Sequence, residues 1–320
     1  MMRVLAPGLL TTFQDLGRHG WQKFGVPVSG AMDQRSLIFA NLLAGNPAHE
    51  AALEFTMLGP TVEFSSPAVF ALCGGEFQPT LNGKALEMGR AYIAPKGAVL
   101  TIGPARAGCR GYLAVNGGFT LTPVMGSRST YLKGGFGGWQ GRALQKGDEL
   151  PLRGSVCYLN AMDRRFIPQQ PCCSSPTLRV ILGPQDDAFS AQGIKTFLSS
   201  PYRIDPKSDR MGYRLLGAPI ARAPGVTDGN ILSDGVAMGS IQVPDALPLM
   251  MMADRQTTGG YTKIATVITC DLPLAAQCRP GDTLRFEAVS MEEAQRLFRR
   301  QQREFRALAQ ALDQPDGLWD

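Results

Sequence analysis

Apolar and polar positions alternate over short distances along this chain. Thr61-Val62-Glu63-Phe64 has a period of two, and Ala68 to Cys73, Tyr92-Ile93-Ala94, Val99 to Ile102 and Tyr112 to Val115 are apolar runs of strand length. Leu178 to Leu182 and Ile264 to Ile268 continue the pattern, and Pro248-Leu249-Met250-Met251-Met252 suits a buried strand. Leu81-Asn82-Gly83-Lys84 predicts a tight hairpin, because both central residues of such a turn need positive φ. The 37 glycines and 23 prolines fit many short strands with tight turns, which points to a mainly β fold of barrels or sandwiches.

Helical spacing is confined to two places. One helix is predicted from Asp33 to Leu43, ending at Gly45. The other runs from Ser290 to Leu312 and opens on Ser290-Met291-Glu292-Glu293, a capping box. Its Ala294, Leu297, Phe298, Phe305, Leu308 and Leu312 fall on one stripe, expected to pack on the body of the protein.

A faint internal repeat accompanies the strands. Lys146-Gly147-Asp148-Glu149-Leu150 matches Pro280-Gly281-Asp282-Thr283-Leu284, and Leu58-Gly59-Pro60 matches Leu182-Gly183-Pro184 at a similar offset. Arg128 and Arg255, each near Thr and a glycine pair, fall at nearly the same separation. The pattern predicts a first β unit over 1–165, a second over 176–290, and a C-terminal helix and tail over 291–320. A Pro- and Gln-rich stretch around Asp163 to Ser175 is the expected linker.

Composition narrows the function. With 44% hydrophobic and 18% charged residues the chain reads as globular. The net charge of +5 comes largely from Arg296 to Arg306, so no nucleic-acid partner is expected. Apolar runs such as Leu247 to Ala253 are far shorter than the roughly 20 residues that span a bilayer. No signal-peptide core follows the N-terminus, and a cytoplasmic location with no membrane partner is expected. The 7 cysteines include no C-x-x-C and are read as small core residues. The 2 histidines, His19 and His49, argue against a histidine-built zinc site and against a Ser-His-Asp triad, so no metal is expected. The chain also has no P-loop, no dinucleotide fingerprint and no G-x-S-x-G elbow.

Polar chemistry concentrates in four segments. Asp254-Arg255-Gln256-Thr257-Thr258-Gly259-Gly260-Tyr261 places polar side chains at what reads as a glycine-permitted turn between buried strands. Thr11 to Arg18 with Ser29 to Asp33, Gly126 to Thr130 backed by Gly134 to Gly138, and Ser208 to Arg214 are the others. Each couples Arg or Asp with hydroxyls and glycine, a combination suited to an anionic polar ligand: guanidinium is a planar fork of donors, and carboxylate an acceptor or base. Asp254, Arg255 and Arg128 are the candidate catalytic residues. Gln256, Thr257, Thr258, Tyr261, Asp209, Arg210, Asp15 and Arg18 are the candidate substrate-binding residues, expected around one cleft. Asp209-Arg210 and Asp254-Arg255 also suit a purely structural role as ion pairs.

Thr11-Thr12-x-Gln14-Asp15-x-Gly17-Arg18, Ser29-Gly30-Ala31-Met32-Asp33, Gly126-Ser127-Arg128-Ser129-Thr130, Ser208-Asp209-Arg210-Met211-Gly212 and the Asp254–Tyr261 segment together resemble the biotin-dependent carboxyltransferase family, also called the allophanate hydrolase subunit 2 or Kip-A-like family. Asp234 stands where that family has Glu, and Thr262 where Pro follows Tyr. The resemblance implies two cyclophilin-like β-barrel units with few helices and a C-terminal helix. A stand-alone chain of this length looks more like the bacterial 5-oxoprolinase component than a biotin enzyme. No Met-Lys-Met is present, so no covalently attached biotin is expected. The resemblance then implies ATP as cosubstrate of a complex, with the Kip-I-like B subunit of 5-oxoprolinase and its A subunit for partners, and little activity in this chain alone. The rival readings are a carboxyltransferase component of a urea-type biotin-dependent enzyme and a regulatory protein that binds a Kip-I-type kinase inhibitor.

Overall fold

A computed structural model describes residues 1–154 and 156–312, with 34% strand and 18% helix. The mainly β expectation holds. The Asn82-Gly83 hairpin forms with φ of 50° and 79° at its two central residues, joining Thr80–Leu81 to Lys84–Ala85. Among the described residues no helix is long and apolar enough to cross a membrane.

The chain divides into two compact units. The first comprises Met1–Arg18, Ser29–Cys172 and the residues from Gln302; the second comprises His19–Val28 and Cys173–Gln301. Residues 313–320, the predicted tail, lie outside the described residues.

The first unit is built on two sheets. One has the strand order Glu149–Leu150, Met2–Ala6, Thr61–Phe64, Val99–Thr101, Thr80–Leu81, Lys84–Ala85. The other runs Leu10–Gln14, Ala52–Thr56, Ala105–Val115, Ala68–Phe77, Arg90–Ala94. Their facing side chains, among them Val4, Phe13, Phe55, Phe64, Phe70 and Leu100, form one buried core. The opposite face of the second sheet is covered by α1 (Gln34–Leu43). Asp33 caps α1 by accepting from Ser36 N at 2.9 Å, and Gly45 follows with φ 76°, so the predicted start and stop are both met. Because this sheet is buried on both faces, its strands carry continuous apolar runs instead of strict alternation.

The second unit contains a closed barrel. Its strands follow the order Thr177–Leu182, Lys263–Val267, Ser240–Gln242, Leu249–Met251, Gly212–Gly217, Tyr202–Ile204, Thr283–Ala288, and the last pairs in parallel with the first. Closure leaves this barrel no free edge. A separate two-stranded arm pairs Asn230–Gly235 with Thr258–Tyr261.

Two helices in this unit lay hidden in the sequence. α2 (Ala191–Ser199) is capped by Ser190 Oγ, which accepts from Gly193 N at 3.0 Å. α3 (Leu272–Ala276) occupies a stretch with the apolar content of a strand, beyond the end of the Lys263–Val267 strand. The long C-terminal helix α4 spans Met291–Ala311, with Glu293 N donating to Ser290 Oγ at 3.2 Å. Phe305, Ala309 and Leu312 join the core of the first unit that includes α1.

Part of the repeat is real at the level of local geometry. Gly147 and Gly281 have φ of 93° and 94°, and their N–H groups donate to Val4 O and Ile204 O at 2.8 and 2.9 Å. Asp148 accepts from Gln145 N, and Asp282 from Arg279 N, both at 2.8 Å. The Gly59/Gly183 match is not shared: Gly183 has φ 93° and precedes a cis proline, whereas Gly59 has neither feature.

Candidate functional site

The apolar strand Leu249–Met251 delivers the chain, through buried Met252 and Ala253, to Asp254 and Arg255. The backbone then turns and enters the arm. Gly259 and Gly260 therefore lie within a strand, where no positive φ is needed, and not in the turn expected from the sequence.

The two charges at this point have different fates. Both Asp254 oxygens are taken by Arg210, Nε–Oδ2 at 2.9 Å and Nη2–Oδ1 at 3.2 Å, and the two side chains are 7% and 8% exposed. Asp254 N also donates to Arg210 O at 2.8 Å. This fork-to-fork arrangement clips two loops at one end of the barrel. Arg255, buried as well, donates from Nε to Val236 O at 2.8 Å and from Nη1 to Met252 O at 3.3 Å. Burial lowers its pKa to about 10, against the opposing pull of the Asp254 charge. Among the described residues its side-chain hydrogen bonds thus go to neutral carbonyls, which do not balance a buried charge.

Around these two, Gln256 and Thr257 are half-buried while Thr258 and Tyr261 are exposed on the arm. Asp209 shapes the loop before Gly212–Gly217, its Oδ1 accepting from Met211 N at 2.8 Å and Gly212 N at 3.3 Å. The second unit accordingly brings together Arg210, Asp254 and Arg255, with Asp209 beside them in sequence.

The first unit gathers Asp15, Arg18 and the Gly126–Thr130 loop. The Asp15 carboxylate accepts from Ser127 Oγ at 2.7 Å, Arg128 N at 2.6 Å and Gly17 N at 2.8 Å, and from Ser129 Oγ. Asp15 is a knot that ties the end of Leu10–Gln14 to this loop. Arg18 is fully buried, donates from Nη2 to Ser129 O at 2.7 Å, and lies 4.8 Å from the Phe136 ring centroid. Gly137, with φ 74°, is required here, since a Cβ would stand 2.8 Å from Arg18 Nη2 and still closer to Ser129 O. Arg128 is half-buried, with Nε donating to Leu121 O at 3.3 Å. Leu121 and the Gly135–Gly141 segment line a cleft of about 350 Å³ with Thr120, Thr122 and Val124.

The family model described as "Carboxyltransferase domain, subdomain A and B" matches residues 24–288, a span that includes the Gly126–Thr130, Ser208–Gly212 and Asp254–Tyr261 motifs. The chain belongs to this carboxyltransferase family. It is 39% identical over 313 residues to an Escherichia coli K12 protein named as the C subunit of 5-oxoprolinase, covering 98% of this chain and 99% of that protein. It is 35% identical over 301 residues to a Haemophilus influenzae protein of the same name, covering 94% of this chain and 95% of that protein. Among solved structures, the Kluyveromyces lactis urea carboxylase is similar with a TM-score of 0.88 and 31% identity over 96% of this chain. The chain spans 29% of the length of that urea carboxylase.

In this carboxyltransferase-family chain, two residues escaped the sequence reading. Gln242 and Lys263 are register partners in the barrel of the second unit, and Lys263 Nζ lies 3.5 Å from Asp234 Oδ2. Asp234 is largely exposed, and its carboxyl is held below the usual range first by the Gly235 N–H and then by the Lys263 charge. The available signal was a lysine opening the apolar run Ile264-Ala265-Thr266-Val267, a pattern that buries a charge if the strand is central.

Proposed function

We propose that this chain is the C-type subunit of an ATP-driven 5-oxoprolinase, opening the lactam of 5-oxo-L-proline to L-glutamate together with a Kip-I-like B subunit plus the A subunit of that enzyme. The observation that carries the chemistry is Arg255, a buried guanidinium whose hydrogen bonds among the described residues go to backbone carbonyls. Such a group gains most from an anionic partner, and the substrate's carboxylate is one. Arg210 and Asp254 set the loop that aims it. Gln256, Thr257 and Thr258 supply neutral donors and acceptors beside it. On the first unit, Arg128 is a separate guanidinium assigned to the reaction. End-to-end similarity to relatives named as the C subunit of 5-oxoprolinase supports this substrate over others.

ATP would supply activation of the amide oxygen. The glycine-rich Gly134–Gly138 segment leads into a turn and not into a helix, so it lacks the N–H array of a P-loop. Nucleotide binding is therefore assigned to the complex and not to this segment.

The test is reconstitution with the two partners and measurement of 5-oxoproline-dependent ATP hydrolysis. Turnover should need all three chains, with negligible activity from this one alone. A complex that hydrolyses no 5-oxoproline would reject the proposal. The urea carboxylase likeness favours one second reading, carboxyl transfer from biotin; carboxylation of urea by the same chain with a biotinylated partner would support it instead.

A further inference from the structure

Gln242 and Lys263 are partners at a β-bulge between adjacent barrel strands, and both side chains reach one rung of the arm, Lys263 at Asp234 and Gln242 at Gly259, the register partner of Asp234. Gln242 is fully buried, and among the described residues neither its Oε1 nor its Nε2 has a hydrogen-bond partner. The Lys263 side chain is 3% exposed, and its ammonium faces the Asp234 carboxylate at 3.5 Å. That contact is long and reaches a carboxylate that is 55% exposed, so it compensates the buried ammonium only weakly. A desolvated carboxamide with both ends idle, beside a weakly compensated ammonium, is costly to folding. The chain nevertheless keeps room for it: a Cβ on Gly259 would stand 2.5 Å from Gln242 Nε2.

The chemistry of these groups defines what they bind. A carboxamide offers an acceptor and a donor side by side. Its complement carries a C=O and an N–H on one edge, as in a cis amide. A ring forces a lactam into that geometry and a ureide has it inherently, whereas a trans peptide bond points the two groups apart. The neighbouring ammonium adds positive charge where the amide oxygen becomes more negative as the bond opens. We infer that Gln242 and Lys263 form the amide-reading subsite of the second unit, a receptor for the cis-amide edge of a lactam or ureide. The choice of a lactam rests on the function proposed above; the edge geometry does not.

The experiment compares wild type with Gln242→Met and Lys263→Met in the reconstituted complex, using 5-oxoproline and N-methyl-5-oxoproline, which lacks the N–H. Gln242→Met is expected to lower kcat/KM for 5-oxoproline by about tenfold or more. It should also abolish discrimination against the N-methyl compound and leave the melting temperature equal to or above that of wild type, since no hydrogen bond is removed. Full activity with discrimination intact in Gln242→Met overturns the inference. If Gln242→Met does not fold, the near-isosteric Gln242→Glu replaces it, with loss of discrimination again expected and its retention overturning the idea. If the wild-type complex does not turn over 5-oxoproline at all, the proposed function fails by itself. The subsite is then decided by calorimetric titration of the full chain with 2-pyrrolidinone, hydantoin and urea. N–H-selective binding lost in Gln242→Met supports it; its absence in wild type overturns it.

Discussion

Arg210 grips Asp254 through two nitrogens, at 2.9 and 3.2 Å, in a pair that is almost fully removed from water. Arg255, one residue further on, has no such carboxylate grip and leans on Val236 O and Met252 O. Adjacent charges in one motif thus differ: the first fixes the loop, and the second, on the function proposed above, offers its charge to the substrate.

Removing one member of the buried pair should therefore be a stability event. Asp254→Ala leaves the Arg210 guanidinium without its carboxylate, and breaking such a pair costs about 3–5 kcal/mol. Urea denaturation of the purified chain should show the loss. An unchanged midpoint would show that the clip contributes nothing to folding.

Arg255 should behave in the opposite way. Its pKa, about 10 when folded, lies below the ordinary guanidinium value, so the unfolded chain holds the proton more tightly. Stability then rises with pH only above about 10, and the full penalty is present at neutral pH. Arg255→Met removes that penalty, so its melting temperature should match or exceed that of wild type while activity of the complex collapses. Arg255→Lys keeps charge without the fork and should lose about tenfold or more in activity with little thermal change. A fall in melting temperature with activity per folded molecule unchanged would make Arg255 scaffold.

Asp15→Asn should loosen one loop specifically. The carboxylate accepts from two hydroxyls and two backbone N–H groups, and an amide presents N–H groups where acceptors are needed. The expected cost is about 2–3 kcal/mol. Amide hydrogen exchange should accelerate over Gly126–Thr130 more than in the strands. Uniform exchange across the first unit would contradict this.

Asp148 offers a pH test. Arg142 hydrogen bonds hold its carboxyl below the usual range, opposed by burial and aided by the Gln145 N–H. Because the folded value is depressed, the stabilisation is complete above the ordinary carboxylate pKa of about 4 and fades as pH falls through the folded value. Asp148→Asn should be less stable by about 1–2 kcal/mol at pH 7, and the gap should close in acid. A gap constant from pH 7 to pH 2 would rule out this ionisation as its source.

What could be read from the sequence follows from how local each cause is. The Asn82-Gly83 hairpin, the Asp33 cap and Gly45 stop of α1, and the Ser290 cap of α4 depend on a few neighbouring residues, and all were legible. So was the shared turn at Gly147 and Gly281, because a glycine with positive φ followed by an aspartate closes its own hydrogen bonds. α2 was not, since its nine residues include Gly193 and Thr196, and the glycine is there because a Cβ would stand 2.0 Å from Ala221 O.

By itself the sequence determined the mainly β class, the turns, and the inventory of Arg, Asp and hydroxyl groups in the motifs. Partner choice lay beyond it. Asp254 meets Arg210 across 44 positions and Asp15 meets Ser127 across 112, and no periodicity in the chain encodes either match. Gln242 and Lys263 carry polar side chains that are buried in the folded unit, each next to a residue of the arm. Desolvation is set by whatever distant chain packs against a group, so only the tertiary structure decides which charges are satisfied and which remain available to a ligand.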